Sequence, residues 1–270
     1  MTDKEYREAD GVSHSQLVKL KNSPEKFKYL QEHPEEPTES LIFGQAFHMY
    51  VLQRDIFNDN FAIAPECDRR TTPGKKIWND FCESSQGKTV ITSKTLEQIE
   101  EMTKKLLSDE IVRTLLNGDH EKEFFWTDKI IDEKCKCRVD CLTLVNDQRI
   151  IVDLKTTDNA ETSAFMKSAL KYGYHTQAAM YRDGVKANIG KECEFVFIAI
   201  EKKPPYSINV LQADDLFLKY GRDEYKRLLT IYHDCKTNDR WYGYNGKDGI
   251  INILGLPVWL AKEVEFLYGV

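Results

Sequence analysis

The stretch RIIVDLKTTD, residues 149–158, decides how this chain is read. Ile150 to Leu154 has the β-branched, apolar character of a buried strand. Asp153 interrupts that run, and Lys155 follows two places later. Side chains alternate faces along a strand, so Ile151, Asp153 and Lys155 share one face and Ile150, Val152 and Leu154 take the other. An acid and a base therefore point the same way from a core strand, where burying a charge is costly unless it is partnered.

Upstream, CKCRVDCLTLV (135–145) alternates in the same manner, and NDQR (146–149) is a turn signal. The alternation places Cys135, Cys137, Val139 and Cys141 on one face and Arg138 and Asp140 on the other. With Asp147-Gln148 as a two-residue turn, Asn146 faces Arg149 and Asp140 falls opposite Lys155. That register gathers Asp140, Asp153 and Lys155 on one surface of a hairpin. Neighbouring carboxylates repel, and a divalent metal supplies the missing positive charge. Hard oxygen ligands suit Mg²⁺ or Mn²⁺. The lysine can hold or help deprotonate a water, or offset charge on a pentavalent phosphate. Together these groups form the toolkit of metal-assisted phosphodiester hydrolysis. The competing reading of the D-x-K triplet by itself is a surface strand carrying an Asp–Lys ion pair.

Further out, the order of elements places this hairpin in one α/β domain with an N-terminal helical layer. Ser13 with Gln16 makes a capping box, and Ser23 before Pro24 an N-cap and first-turn pair. Thr38 caps a helix over about 39–53. RRTTPGKK (69–76) reads as an exposed loop. Residues 96–116 have helical periodicity, with Gly118 as a stop. Strands follow at FFWTDKI, CKCRVDCLTLV and IIVDLKT, then helices over about 160–170 and 174–188. CEFVFIAIE and YSINVLQ form a second strand pair, and 214–236 a long amphipathic helix. The chain divides into a mainly helical part, 1–118, and a core, 119–270. Two further pairs lie on helices at one-turn spacing: Gly44 with His48, and Gln177 with Tyr181. Each by itself also reads as structural, a satisfied helical histidine and a polar stripe at a core edge.

Composition narrows the function classes. The chain has 270 residues, a net charge of −6 and no apolar run near the roughly 20 residues of a membrane span. The polar start MTDKEYREADG is not a secretory signal, so a cytoplasmic setting is expected. The charge argues against indiscriminate nucleic-acid binding without excluding one basic groove. Seven scattered cysteines fit reduced thiols better than a disulfide frame. An iron–sulfur cluster needs four thiolates, and the shared parity of Cys135, Cys137 and Cys141 favours packing instead. No paired C-x₂-C spacing suggests zinc.

The order of helical His, then Asp, then D-x-K, then Q-x-x-x-Y resembles the PD-(D/E)XK nuclease superfamily. More closely, the chain resembles the RecE-type exonucleases (exodeoxyribonuclease VIII and phage relatives). The residues that carry this are SQLVKLKNSPEKF, LIFGQAFHMYVL, EKEFFWTD, CKCRVD, IIVDLKTTDNA, YGYHTQAAMYRDG and the closing ILGLPVWL. The resemblance implies a restriction-endonuclease-like core, a central mixed sheet flanked by helices. It implies that His48, Asp140, Asp153 and the Leu154 carbonyl bind Mg²⁺ (Mn²⁺ substituting), and that Lys155 positions the attacking water. Gln177 and Tyr181 would support the site and approach the DNA. Glu121 matches the family's acidic position ahead of Trp126, with Glu123 as a competitor. The acid before the lysine is often Glu in the family and is Asp153 here, one carbon shorter.

The resemblance further implies a 5′-to-3′ exonuclease on linear duplex DNA that leaves a 3′ single strand for a RecT-like annealing protein. It also implies a closed ring of identical subunits. Arg138, on the Asp140 face, is a candidate phosphate contact or a partner of the aspartates. Ser15, Thr156 and Thr157 carry hydroxyls suited to a terminal phosphate and are equally explained as cap or strand-end residues. Alternatives are an endonuclease or single-strand nuclease of the same superfamily, or a non-catalytic DNA-binding module on the same fold. Tyr206, Trp241, Tyr242, Tyr244 and Trp259 could stack on bases or pack in a core.

Overall fold

The computed structural model describes residues 1–258, 260, 261 and 266. Trp259 and half of the LPVWLAKEVEFL segment lie outside the described residues. No helix among the described residues is long and apolar enough to cross a membrane.

The N-terminal helices are set by their caps. Helices α1 (Asp3–Glu8), α2 (His14–Asn22), α3 (Pro24–Glu32) and α4 (Glu39–Leu52) begin after Thr2, Ser13, Ser23 and Thr38. The Ser13–Gln16 capping box closes as expected, through Gln16 Oε1 accepting from the Ser13 N–H at 2.8 Å. A 3₁₀ turn and α5 (Phe57–Asn60) lead to β1 (Phe61–Ala64). Most of the expected loop at 69–76 is helical instead, from Thr72 onward. Thr71 caps α6 (Thr72–Ser84), with Pro73 in its first turn, where proline's fixed φ suits a helix start. Strand β2 (Thr89–Thr92) pairs with β1 in parallel, a two-stranded sheet too short to leave a sequence signal.

The expected helix over 96–116 is two helices, α7 (Ser93–Ser108) and α8 (Glu110–Leu115). Asp109 is extended (φ −83°, ψ 126°), and its side chain caps α8 by accepting from the Val112 N–H at 3.1 Å. An aspartate inside a periodic run offers the backbone this alternative.

The main sheet has the order β3 (Asp119–Asp128), β4 (Glu133–Val145), β5 (Gln148–Thr157), β6 (Glu194–Glu201), β7 (Ile208–Gln212). Only the β5–β6 pair is parallel. Its crossover carries α9 (Thr162–Tyr172) and α10 (Tyr174–Ile189), and α11 (Asp215–Thr237) closes the fold. The architecture is mixed α/β, a five-stranded mixed sheet with helices on both faces.

Two cores lie against the two sheet faces. One joins Phe47 of α4 and Ile99, Met102 and Leu106 of α7 to Cys141, Val152, Leu154 and Ile198. The other joins Phe165 of α9 and Ala178 and Val185 of α10 to Val139, Ile151, Phe195 and Phe197. A third packs α2, α3 and α11 around Ala179 and Met180, so α10 is buried on several sides. Each fully buried large side chain adds about 1.5–3 kcal/mol. Helices α10 and α11 touch backbone to backbone. A Cβ on Gly221 would lie 1.9 Å from the His175 carbonyl oxygen. The long helix thus spends Leu218, Tyr225, Leu228 and Leu229 on packing within its own chain.

The hairpin register differs from the expected one. Val145 pairs with Gln148 and Cys141 with Val152, so the turn is Asn146-Asp147. Both turn residues have positive φ, 48° and 63°, the type I′ signature that Asn and Asp tolerate. The shift is two residues, so no side chain of β5 changes face. The face assignment on β4 does change. Cys137 and Val139 pack in the α9/α10 core, whereas Cys141 packs in the α4/α7 core. Alternation breaks at Asp140, across from Glu121, whose φ is +49°.

Candidate active site

The break in alternation is where the site forms. Strands β4 and β5 pair only from Cys141–Val152 to the turn. Beyond that point β4 continues with β3, and β5 with β6. The sheet forks, and the backbone of Leu154 on β5 loses its β4 neighbour. Asp140 fills the gap: its Oδ2 accepts from the Leu154 N–H at 2.8 Å. A carboxylate thus replaces a strand partner, as an orphaned buried N–H requires.

Three groups converge at the fork. His48 of α4, Glu121 of β3 and Asp140 of β4 each offer a ligand atom, all within 4.8 Å of one another. His48 Nδ1 lies 3.4 Å from Asp140 Oδ2. Glu121 stands between His120 and Lys122, which pair with Cys141 and Val139, and takes no ladder partner itself. Its left-handed backbone is the kind of local strain that a fold tolerates at a working position. Glu123, the competing acid, stands opposite Arg138 in the ladder and outside the cluster. Gly44, one turn before His48, is not needed for close approach, since a Cβ there would make an ordinary 3.9 Å contact with Thr156 Oγ1.

Asp153 and Lys155 sit beside this cluster on β5. Asp153 is 1% exposed. Its Oδ1 accepts from Gln177 Nε2 at 2.6 Å. Lys155 Nζ lies 2.5 Å from Oδ2 as an ion pair, but no aligned hydrogen bond reaches that buried oxygen. Tyr174 lies under Lys155, with Nζ 4.8 Å from the ring centre. Tyr181, one turn beyond Gln177, forms part of the wall, edge-on to His14 and Phe195 at 6.4 Å from each.

The charges do not balance. Burial, then the Asp140 charge, pushes the Glu121 carboxyl up to about 8, against the pull of Arg138. Burial also raises Asp153 to about 7, with Lys155 opposing and Asp140 reinforcing. Burial works against the Lys155 ammonium, yet Asp153 and Asp140 outweigh it and hold its pKa above the usual lysine value. Burial lowers His48, which favours the neutral imidazole that binds metals. Three carboxylates, Glu121, Asp140 and Asp153, beside a neutral imidazole outnumber the two cations that reach them, Lys155 and Arg138. That set fits a divalent cation. Asp153 lies outside the three-group cluster and offers its Oδ2 at the edge.

The expected phosphate contacts are placed less uniformly. Arg138 is engaged on both sides, with Nη1 2.5 Å from Asp3 Oδ1 and Nε 2.8 Å from Glu121 Oε2. It partners an acid of the site. Ser15 Oγ is 3.1 Å from Ser13 Oγ at the start of α2. Thr157 donates to the Asn159 carbonyl. The other aromatics have local partners: Tyr206 donates to Glu101, Trp241 packs on Phe27, and Lys26 lies over Tyr244.

Two residues at the site escaped the sequence reading, Tyr174 and His14. Buried His14 places Nε2 2.9 Å from both the Gly173 carbonyl and Thr176 Oγ1. The carbonyl can only accept, so Nε2 carries the hydrogen. Nothing near His14 in the sequence signals contacts across some 160 residues. Tyr174 had a signal in YGYH, a glycine corner preceding the Gln177 helix.

Comparison with known proteins agrees with this geometry. The chain resembles, at 15% identity and a TM-score of 0.62, a protein from Eubacterium rectale whose crystal structure is described as that of a "putative exonuclease". The match covers 100% of this chain and 99% of that one, and speaks to the fold. A second solved structure, SSO0001, matches at 11% identity and a TM-score of 0.36 over 83% of this chain and 81% of its own, and carries no argument. No curated protein matches the sequence. The family described as a PDDEXK-like domain of unknown function (DUF3799) matches residues 13–251, nearly the whole chain. The chain belongs to that family, with a nuclease-like fold.

Proposed function

We propose that this protein is a divalent-metal-dependent exonuclease that degrades one strand of linear duplex DNA in the 5′-to-3′ direction. The observation that carries the hydrolytic reading is the convergence of His48, Glu121 and Asp140 at the fork, beside the Asp153–Lys155 pair. These three side chains, with the Leu154 backbone and Asp153 Oδ2, would hold Mg²⁺ or Mn²⁺. When bound, the ion supplies Lewis-acid polarisation of a phosphodiester and neutralises the carboxylates.

The chain's own residues do the rest. Gln177 fixes the rotamer of Asp153, and Asp153 fixes the Lys155 ammonium. With Tyr174 beneath it, that ammonium donates to a water or a phosphate oxygen at the ion's edge. Asp140 holds the fork open by serving Leu154. End dependence, 5′-to-3′ polarity, a ring of identical subunits and delivery of a 3′ strand to a RecT-like annealing protein are supported by the resemblance to RecE-type enzymes. The description of the Eubacterium rectale protein supports an exonuclease.

The test is digestion of end-labelled linear duplex with Mg²⁺ or Mn²⁺, with EDTA and covalently closed circles as controls. Loss of the 5′-labelled strand end first, with circles intact, is expected. Cut circles would make it an endonuclease. No metal-dependent cleavage of any DNA would sink the hydrolytic reading.

A further inference from the structure

The corner between α9 and α10 is one of the acid-free basic stretches of the chain. Residues 162–174, TSAFMKSALKYGY, contain Lys167 and Lys171 and no acid, in a protein of net charge −6. The nearest acid, Glu161, is turned back to cap α9, accepting from the Ser163 and Ala164 N–H groups. Met166, Leu170 and Tyr172 are exposed on the same corner, at 43%, 46% and 51%.

The corner is continuous with the site. Tyr172 lies 6.0 Å from Tyr174, ring centre to ring centre, at 31°. Tyr174 in turn lies under Lys155. Tyr174 is braced from behind by Phe165 and Phe197, at 5.8 and 5.9 Å. Gly173, at φ +75°, makes the bend that sets the two tyrosines side by side. A Cβ there would meet Val18 and Thr176 at 3.0 and 3.1 Å, so the bend is also closely packed. Lys171 Nζ lies 5.1 Å from the Tyr172 ring centre. A braced inner aromatic, an exposed outer one and two lysines in a stretch that has no acid of its own are the parts of a single-strand track: rings stack on bases while lysines meet phosphates. A duplex would bury its bases away from such rings.

We propose that Tyr172, backed by Tyr174, is a stacking platform for an unpaired nucleobase beside the hydrolytic site, and that Lys167 and Lys171 hold phosphates of the same single strand. The inference rests on the nucleic-acid reading above and names the part of the substrate this face takes.

The test is fluorescence anisotropy in EDTA with the full chain. The probes are a labelled oligothymidylate of about ten nucleotides and an abasic strand of equal length and charge. Wild type is expected to prefer the thymidylate about 10-fold, the scale of one or two stacked bases. Tyr172→Ala should erase that preference and leave affinity for the abasic strand in place. Tyr172→Trp should restore it. Lys171→Gln should weaken both probes and flatten the salt dependence. Tyr29→Ala, removing an exposed aromatic on α3, should behave as wild type, and melting curves check that each variant folds. No preference in wild type, or an unchanged preference in Tyr172→Ala, overturns the platform. An equal loss in Tyr29→Ala overturns it too. Hydrolysis of linear duplex is measured separately. Cleavage without base preference sinks only the platform, and base preference without cleavage sinks only the proposed nuclease.

Discussion

The molecule holds two groups of buried or half-buried acids, and they are treated oppositely. At the α10/α11 seam, both oxygens of Asp183 accept from Arg222, at 2.7–3.1 Å, and Tyr225 donates to Oδ2. Nearby, burial works against the charge of Asp128, but Lys226 and the Ile130 and Ile131 N–H groups outweigh it and hold its carboxyl below the usual range. Glu133 is likewise met by Lys236 at 2.7 Å and His233 at 3.0 Å. At the fork, Glu121 and Asp153 are raised instead, and one Asp153 oxygen has no aligned donor. The seam brings its own cations. The fork has Lys155 and Arg138, yet these leave the Glu121 and Asp153 carboxyls raised, a deficit that an ion from outside would fill. The contrast sets the fork apart as the candidate site, because buried acids by themselves are common in scaffolds.

The contrast predicts which property each group of acids controls. The largest effect belongs to Asp153→Asn. Metal-dependent cleavage should fall by at least about 10³-fold, because the Lys155 ammonium loses its anchor and the ion an oxygen. Folding, read by melting and circular dichroism, should survive. Asp183→Asn should do the reverse. It leaves Arg222 and Tyr225 poorly matched in a partly exposed seam, so unfolding free energy should drop by about 2 kcal/mol, with cleavage at a protein-stabilising temperature nearly unchanged. If Asp183→Asn removed activity while Asp153→Asn removed stability, the division between the two groups would be wrong.

Metal should act on one group only. Mn²⁺ at about 100 times its dissociation constant should add about 2.7 kcal/mol to wild-type stability, read as a rise in melting temperature against EDTA. Asp140→Asn should lose most of that rise, and Asp183→Asn should keep it. An equal rise in both variants would place the ion somewhere other than the fork.

How much of this was legible in the sequence depends on the range of the interaction. Caps at Ser13, Ser23 and Thr38 act over three or four residues, and each was readable. The D-x-K strand was readable because alternation is local. The hairpin register was missed by two residues, because Asn146-Asp147 and Asp147-Gln148 are both plausible turns and only φ above zero at both central positions separates them. Asp153 and Lys155 keep a common face because the slip was even, whereas Asp140 meets β5 through the Leu154 N–H across the fork. The fork was not legible at all. It arises where β4 follows β3 while β5 follows β6, a tertiary event that local pattern does not encode. The reversal of Cys141 relative to Val139 was lost with it. Glu121 and Glu123 both precede Trp126 within a few residues, and only the fold shows that Glu121 is the one beside His48 and Asp140.

The smallest effect concerns His14, which belongs to neither group of acids: it is buried, hydrogen-bonded and uncharged. Burial, with the nearby Lys155 charge, drives its pKa down to about 3, although its bond to the Gly173 carbonyl opposes this. Above the ordinary histidine pKa, near 6.5, His14 is neutral whether the chain is folded or not, and pH has no leverage through it. Below that value the unfolded chain binds a proton that the folded chain refuses, so stability falls as pH drops from about 6.5 toward about 3. At full slope the loss is about 1.4 kcal/mol per pH unit. Over the first one to two units it should reach about 1–2 kcal/mol. His14→Gln keeps a donor for Gly173 and cannot titrate, so its denaturation midpoint should move less between pH 7 and pH 5 than that of wild type. Parallel midpoints would mean that His14 becomes protonated in place, and that the corner beside Lys155 accommodates a second positive charge. The deficit at the fork would then be larger than three carboxylates set against Lys155 and Arg138 suggest.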